Sequence, residues 1–177
     1  MQTIAADGTK LYLGGSQKMG TFHLLSELRA GTPVIIAEGY ATGATATGMP
    51  VAVALDTSNL MAVATELRDQ YPARPIYLAA DNDHHLPLRA KPLPNAGREK
   101  AEAAAAAVGA MVLLPEPAAD QVAKGKGTDW NNYEASHSQA ATRTALRTAG
   151  LQELAAQDAQ MAVRSRAAER HGAGLST

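Results

Sequence analysis

Pro75-Ile76-Tyr77-Leu78-Ala79-Ala80-Asp81-Asn82-Asp83 is the stretch on which the reading of this chain turns. A short apolar run, opened by proline and closed by polar residues, reads as a buried strand. Asp81 and Asp83 are two positions apart, so an extended strand end sends both carboxylates to the same side. Two carboxylates held together repel unless a cation lies between them. Magnesium takes one or two protein carboxylates and fills its remaining positions with water and substrate phosphates. A second run, Pro33-Val34-Ile35-Ile36-Ala37, also ends on an acid, Glu38, followed by Gly39. In an open α/β sheet the carboxyl ends of parallel strands line the ligand crevice. Glu38 is therefore expected beside the aspartates, as a further ligand or as a proton-transfer group.

Working outward, strands and helices alternate. Strand 34–37 leads into a small-residue helix that Met49-Pro50 ends. Strand 51–55 is followed by Asp56-Thr57-Ser58-Asn59, a capping cluster for an amphipathic helix to about Gln70. Asp56 is expected to be a cap rather than a ligand. A proline-rich loop over 86–94 precedes an alanine-rich helix over 98–108, and strand 111–114 ends at Pro115-Glu116-Pro117. Such alternation predicts a parallel, doubly wound sheet with its carboxyl ends on one side. Before it, Asp7-Gly8 between two strand-like runs predicts a β-hairpin with a type I′ turn. Residues 21–29 fit a short helix or a strand. Beyond Pro117 the reading is a glycine-punctuated loop over 123–128, then helices over 136–149 and 151–170. The expected division is a lead-in segment over 1–32, a main domain over 33–135 and a helical extension over 136–177.

Composition narrows the function classes. The 177 residues carry a formal net charge of −1, so no global attraction to nucleic acid is expected and any such binding must be local. Cysteine is absent, which removes disulfides, thiolate zinc sites and cysteine nucleophiles. No apolar run reaches the length of a membrane span, and the polar N-terminus lacks a leader pattern, so a cytoplasmic setting is expected. No P-loop and no dinucleotide fingerprint occurs. Asp83-His84-His85 spells the signature of the DHH phosphoesterases, but the upstream aspartate and histidine motifs of that family are missing. His84 stays a candidate neighbour of a metal or phosphate.

Glu38-Gly39-Tyr40-Ala41-Thr42-Gly43 after a strand, then Ala80-Asp81-Asn82-Asp83, then Asn95-Ala96-Gly97-Arg98-Glu99-Lys100-Ala101, together resemble the TOPRIM family. More narrowly they resemble the primases of plasmids and phages, over about 34–133. The resemblance implies that Glu38, Asp81 and Asp83 organise Mg²⁺ or Mn²⁺ and are the catalytic acids. It also implies that Asp129, in Lys126-Gly127-Thr128-Asp129-Trp130-Asn131-Asn132, matches a later metal-binding acid. Relatives often carry a second acid shortly after that position, where this chain has Asn131 and Asn132. The implied activity is synthesis of short RNA primers from nucleoside triphosphates on a single-stranded DNA template. The alternatives are a metal-dependent nuclease, or a non-catalytic module that recruits a replicative helicase or relaxase through the C-terminal helices. Primases also use a zinc-binding template reader, so a cysteine-free chain is expected to be a fragment or to rely on a partner.

Phosphate contacts need cations. Arg98 and Lys100, in the family-like segment, and Lys124 and Lys126, before Asp129, are the first candidates for nucleotide binding. Arg89 and Lys91 lie near the same edge, and Lys10 and Lys18 at the hairpin come second. Few aromatic residues are present to stack bases, and Trp130 is expected to be a core anchor.

Overall fold

The computed structural model of the protein describes residues 2–7, 9–29, 32–45, 49–117 and 119–148. A five-stranded sheet in the order β3-β5-β4-β6-β7 forms its centre. The strands β4 (Val34–Ala37), β5 (Val51–Val53), β6 (Ile76–Ala79) and β7 (Met111–Leu113) are mutually parallel. Residues 21–29 resolve as a strand: β3 (His23–Leu24) adds antiparallel to β5 and makes the sheet mixed. Alternation along the strands divides two apolar layers. Val34, Ile36, Ala52, Ile76 and Leu78 face α2 (Leu60–Gln70) and α3 (Ala96–Val108). Ile35, Ala37, Val51, Val53, Tyr77, Ala79 and Leu113 face Trp130 of α5 (Trp130–His137) and Leu146. Both faces of β4, β5 and β6 are therefore dry, which is why these strands read as continuous apolar runs rather than alternating ones. Ala101, Ala104 and Ala105 let α3 lie close on this sheet, beside α2.

The β4–β6 register decides where the acids meet. Ala37 stands opposite Ala79. One step further along both strands come Glu38 and Ala80, and the next residue of β6's extension is Asp81. The two acid-ending runs thus stop level with each other on adjacent strands. Glu38 then gives way to α1 (Tyr40–Thr45), which packs against α5.

The N-terminal hairpin is present as β1 (Gln2–Ile4) and β2 (Lys10–Tyr12). Its turn differs from the expected two-residue type I′. Ala5 N–H donates to Thr9 O at 2.9 Å, leaving three residues between the closing pair, and the Asp7 carboxylate accepts from Thr9 N–H. That side-chain bond mimics a backbone turn and sets the longer loop. Buried Asn59 ties the following segment to the sheet: its Oδ1 accepts from Gly20 N–H, and its Nδ2 donates to Thr21 O and Ala54 O.

Three helix expectations change. Asp129 caps a helix that begins at Trp130 rather than near 136, and Ser138, at φ +89°, interrupts it before a further helical segment over 139–148. Part of the stretch after Pro117 is the short helix α4 (Ala119–Ala123). The helix expected over 151–170 lies outside the described residues. Among the described residues no helix is long and apolar enough to cross a membrane.

Candidate metal centre

Asp81 is the focus of the carboxyl-end edge. Its side chain is half-buried, and Oδ1 is sealed from solvent with no hydrogen-bond partner. Burial is the largest force on it, and the charges of Glu38, Asp129 and Asp83 add to it, pushing the carboxyl up from 3.8 to about 7. Lys10 is the base that opposes this push. The four acids singled out in the sequence therefore share one electrostatic neighbourhood, although Asp129 lies 48 positions beyond Asp81. A buried, unpartnered carboxylate oxygen among other carboxylates is a costly arrangement unless something positive completes it.

The donor set is all oxygen, which suits a hard divalent ion. Among the described residues no three acid or histidine side chains are already gathered into a coordinating cluster. An ion that keeps several waters and takes substrate phosphates as further ligands does not require such a preformed cage. Glu38, Asp81 and Asp83 are the residues that fit this role. Asp129 is more committed: its Oδ1 accepts from Asn132 N–H at 2.6 Å, and its Oδ2 accepts from Asn132 Nδ2 at 2.8 Å.

An asparagine pair that the sequence reading did not single out ties down the turn that carries the aspartates. Asn82 N–H donates to Thr128 O at 2.6 Å, its Nδ2 donates to Pro115 O, and its Oδ1 accepts from Asn95 Nδ2. One residue thus joins the ends of β6 and β7, the loop before α5 and the start of α3. Asn95 caps α3, its Oδ1 accepting from Arg98 N–H and also from Asp83 N–H at 3.1 Å. Its position before an Ala-Gly-Arg helix start was the available signal. Gly97 is needed for packing: a Cβ there would stand 3.1 Å from Asp81 O and 3.3 Å from Asp81 Cβ.

The next loop is folded back onto this edge. His84 Nδ1 lies 3.0 Å from Asn82 O, and since a carbonyl only accepts, Nδ1 carries the hydrogen. Nε2 is buried without a hydrogen-bond partner. Gly125, at φ +61°, lies against the His85 ring, so the 124–128 loop packs on the proline-rich one.

The cations expected to bind nucleotide are spread out. Arg98 Nε pairs with Glu102 at 2.7 Å along the exposed side of α3, and Lys124 pairs with Asp120 at 3.4 Å. Lys100 and Lys126 are not drawn into the acidic edge by any ion pair among the described residues. Asp56 behaves as a cap: burial works against its ionisation, but hydrogen bonds from Lys18 and Ser58 prevail and hold the carboxyl at about 2. Trp130 is buried against the sheet with Nε1 donating to Leu113 O.

The Toprim domain family matches residues 33–140. The chain is 38% identical over 167 residues to an Escherichia coli protein named DNA primase TraC, covering 90% of this chain and 11% of that protein. A second Escherichia coli DNA primase TraC is 40% identical over 121 residues, covering 65% of this chain and again 11% of the relative. The chain thus spans about a tenth of the length of these relatives. No solved structure matches.

Proposed function

From a chain that belongs to the Toprim family, we propose a divalent-metal centre serving primase-type nucleotidyl transfer on single-stranded DNA. The observation that carries the proposal is the meeting of Glu38, Asp81 and Asp83 at the level ends of β4 and β6, with a buried, unpartnered Asp81 oxygen. Similarity to proteins named as DNA primases supports this chemistry over the alternatives.

Glu38, Asp81 and Asp83 would hold Mg²⁺ or Mn²⁺, which when bound supplies positive charge for a triphosphate and its leaving pyrophosphate. The chain's own contributions come from its geometry. Asn95 holds the Asp83 backbone and Asn82 ties down the turn between the two aspartates, so the carboxylates would be presented with little reorganisation. Glu38, half-buried beside them, would take a proton from an attacking hydroxyl where it is not itself a ligand. The 124–128 loop, resting on His85, would border the path of a template strand, with Lys124 and Lys126 supplying its positive charge.

The test is one reaction: single-stranded DNA, labelled ribonucleotides and Mg²⁺ or Mn²⁺, with Glu38→Gln as control. Short labelled oligoribonucleotides from the unmutated chain alone are the expected result. Cleavage of the DNA instead would assign the centre to a nuclease. Absence of both products would refute catalysis by this chain alone and leave recruitment of a helicase or relaxase as the role to test.

A further inference from the structure

The N-terminal hairpin is docked beside the acidic edge, and its register sets which side chains face the domain. Gln2 pairs with Tyr12 and Ile4 with Lys10. Residues opposite each other in an antiparallel pair, and those two apart along a strand, share one face. Gln2, Ile4, Lys10 and Tyr12 therefore lie on the same side of the hairpin. That side is laid against the domain, because Gln2 Nε2 and Tyr12 OH both donate to Leu55 O, at 3.1 and 3.0 Å. The segment after β2 is anchored as well: Lys18 pairs with Asp56 at 2.8 Å and lies over the Tyr12 ring, 5.0 Å from its centroid.

So held, β2 carries Lys10 to the end of β4. Its Nζ comes within 3.8 Å of where a Cβ on Gly39 would stand, next to Glu38. Its charge is also felt at Asp81. Yet among the described residues Lys10 makes no ion pair, whereas Lys18, Arg98 and Lys124 each do. A lysine whose purpose was to neutralise one of these carboxylates would have closed on it. This ammonium instead stands beside the acids with its donors uncommitted. Four carboxylates exceed the charge of one divalent ion, so an incoming polyphosphate still meets net negative charge. A compact ammonium with three donors at the edge of the cluster suits phosphate oxygens.

We infer that Lys10, delivered by the hairpin, is a direct contact for the phosphates of the incoming nucleoside triphosphate. Tyr12 and Gln2 are the positioning residues that fix its reach. The inference rests on the metal-centre reading above.

Calorimetric titration of the full chain separates the two. Mn²⁺ alone is titrated first, then a non-hydrolysable ribonucleoside triphosphate in the presence of Mn²⁺. Lys10→Gln removes a charge-assisted hydrogen bond and should weaken triphosphate binding by about ten- to a hundredfold. Mn²⁺ affinity should hold or rise in the same variant, since a positive neighbour is gone. Tyr12→Phe should lower triphosphate affinity by a few-fold at unchanged Mn²⁺ affinity, and Lys10→Arg should restore part of the deficit. Undiminished triphosphate binding by Lys10→Gln overturns the inference. So does a parallel fall in Mn²⁺ and triphosphate affinity with a lowered melting temperature, which would make Lys10 structural. An unmutated chain that binds Mn²⁺ but no triphosphate overturns the inference and spares the metal centre. Binding of neither overturns both.

Discussion

Replacing Asp81 by asparagine should make the metal-free protein more stable while removing its response to magnesium. The cost of the native residue follows from its titration. The carboxyl, at 3.8 in the unfolded chain, is raised to about 7 by burial and by Glu38, Asp129 and Asp83. At ~1.4 kcal/mol per pH unit, keeping it ionised costs the folded state roughly 4 kcal/mol. Asp81 is half-buried, and solvent reaching the charge reduces this, so about 2 kcal/mol is the expected gain for Asp81→Asn. The pH dependence has a definite sign. Below pH 3.8 both states hold the proton and the variant gains nothing. Between 3.8 and about 7 the folded protein retains a proton that the unfolded chain has lost, so native stability falls as pH rises. Above about 7 the full penalty applies. Thermal melts at about pH 5 and about pH 8, in EDTA and separately in excess magnesium without chelator, test this. At the higher pH the variant should melt roughly 4–8 °C above the unmutated protein. The gap should narrow at the lower pH, and magnesium should raise only the unmutated melt. A variant less stable at the higher pH, or a gain independent of pH, would refute the idea that charge crowding strains this edge.

Gly97→Ala should push a methyl group into Asp81, at 3.1 Å from its carbonyl oxygen, and weaken Mn²⁺ binding by about tenfold with little change in helix content; calorimetry and circular dichroism decide. Asn95→Ala removes the cap of α3 and the partner of Asp83 N–H and Asn82 Oδ1, so urea unfolding should show a loss of about 2–3 kcal/mol with weaker Mn²⁺ binding. Asp56 is depressed to about 2, so its contribution is full above 3.8 and is lost as pH falls from there towards 2. Asp56→Asn should therefore cost up to about 1 kcal/mol near neutral pH and almost nothing at about pH 2, measured by denaturant titration at each pH.

How much of this was legible in the sequence depended on the range of each interaction. The strands announced themselves because burial on both faces writes an unbroken apolar run, and the acids at their ends were visible in the same few residues. Glu38, Asp81 and Asp83 needed only the rule that parallel strands deliver their ends together, and the Ala37–Ala79 pairing shows that the two strand ends lie level. Asp129 was reached through resemblance, although an Asp followed three residues later by an amide was a readable cap that would have placed the helix start at Trp130. The ties that position the site were not readable. Asn82 bonds Pro115 across 33 positions, and Asn59 bonds Thr21 across 38. Such pairs leave no periodicity, and a lone asparagine in a turn looks the same whether or not it has a distant partner. Lys10 ranks behind the other cations in sequence for the same reason, since the docking of its hairpin on Leu55 O is decided by tertiary contact alone.

Asn132 gives this edge a character of its own. It uses both a backbone N–H and a side-chain amide on the two oxygens of Asp129, so that carboxylate is oriented by a neutral neighbour. An acid at the same position would lack the side-chain donor and would add a further negative charge beside Asp81, which burial and its acidic neighbours already raise to about 7. The asparagine therefore limits repulsion at the point where it is greatest. Both Asp129 oxygens are thus engaged by Asn132, while its charge still bears on Asp81. In this arrangement the strained carboxylate is the one that binding would relieve, and the asparagines around it keep the backbone from relaxing to relieve it first.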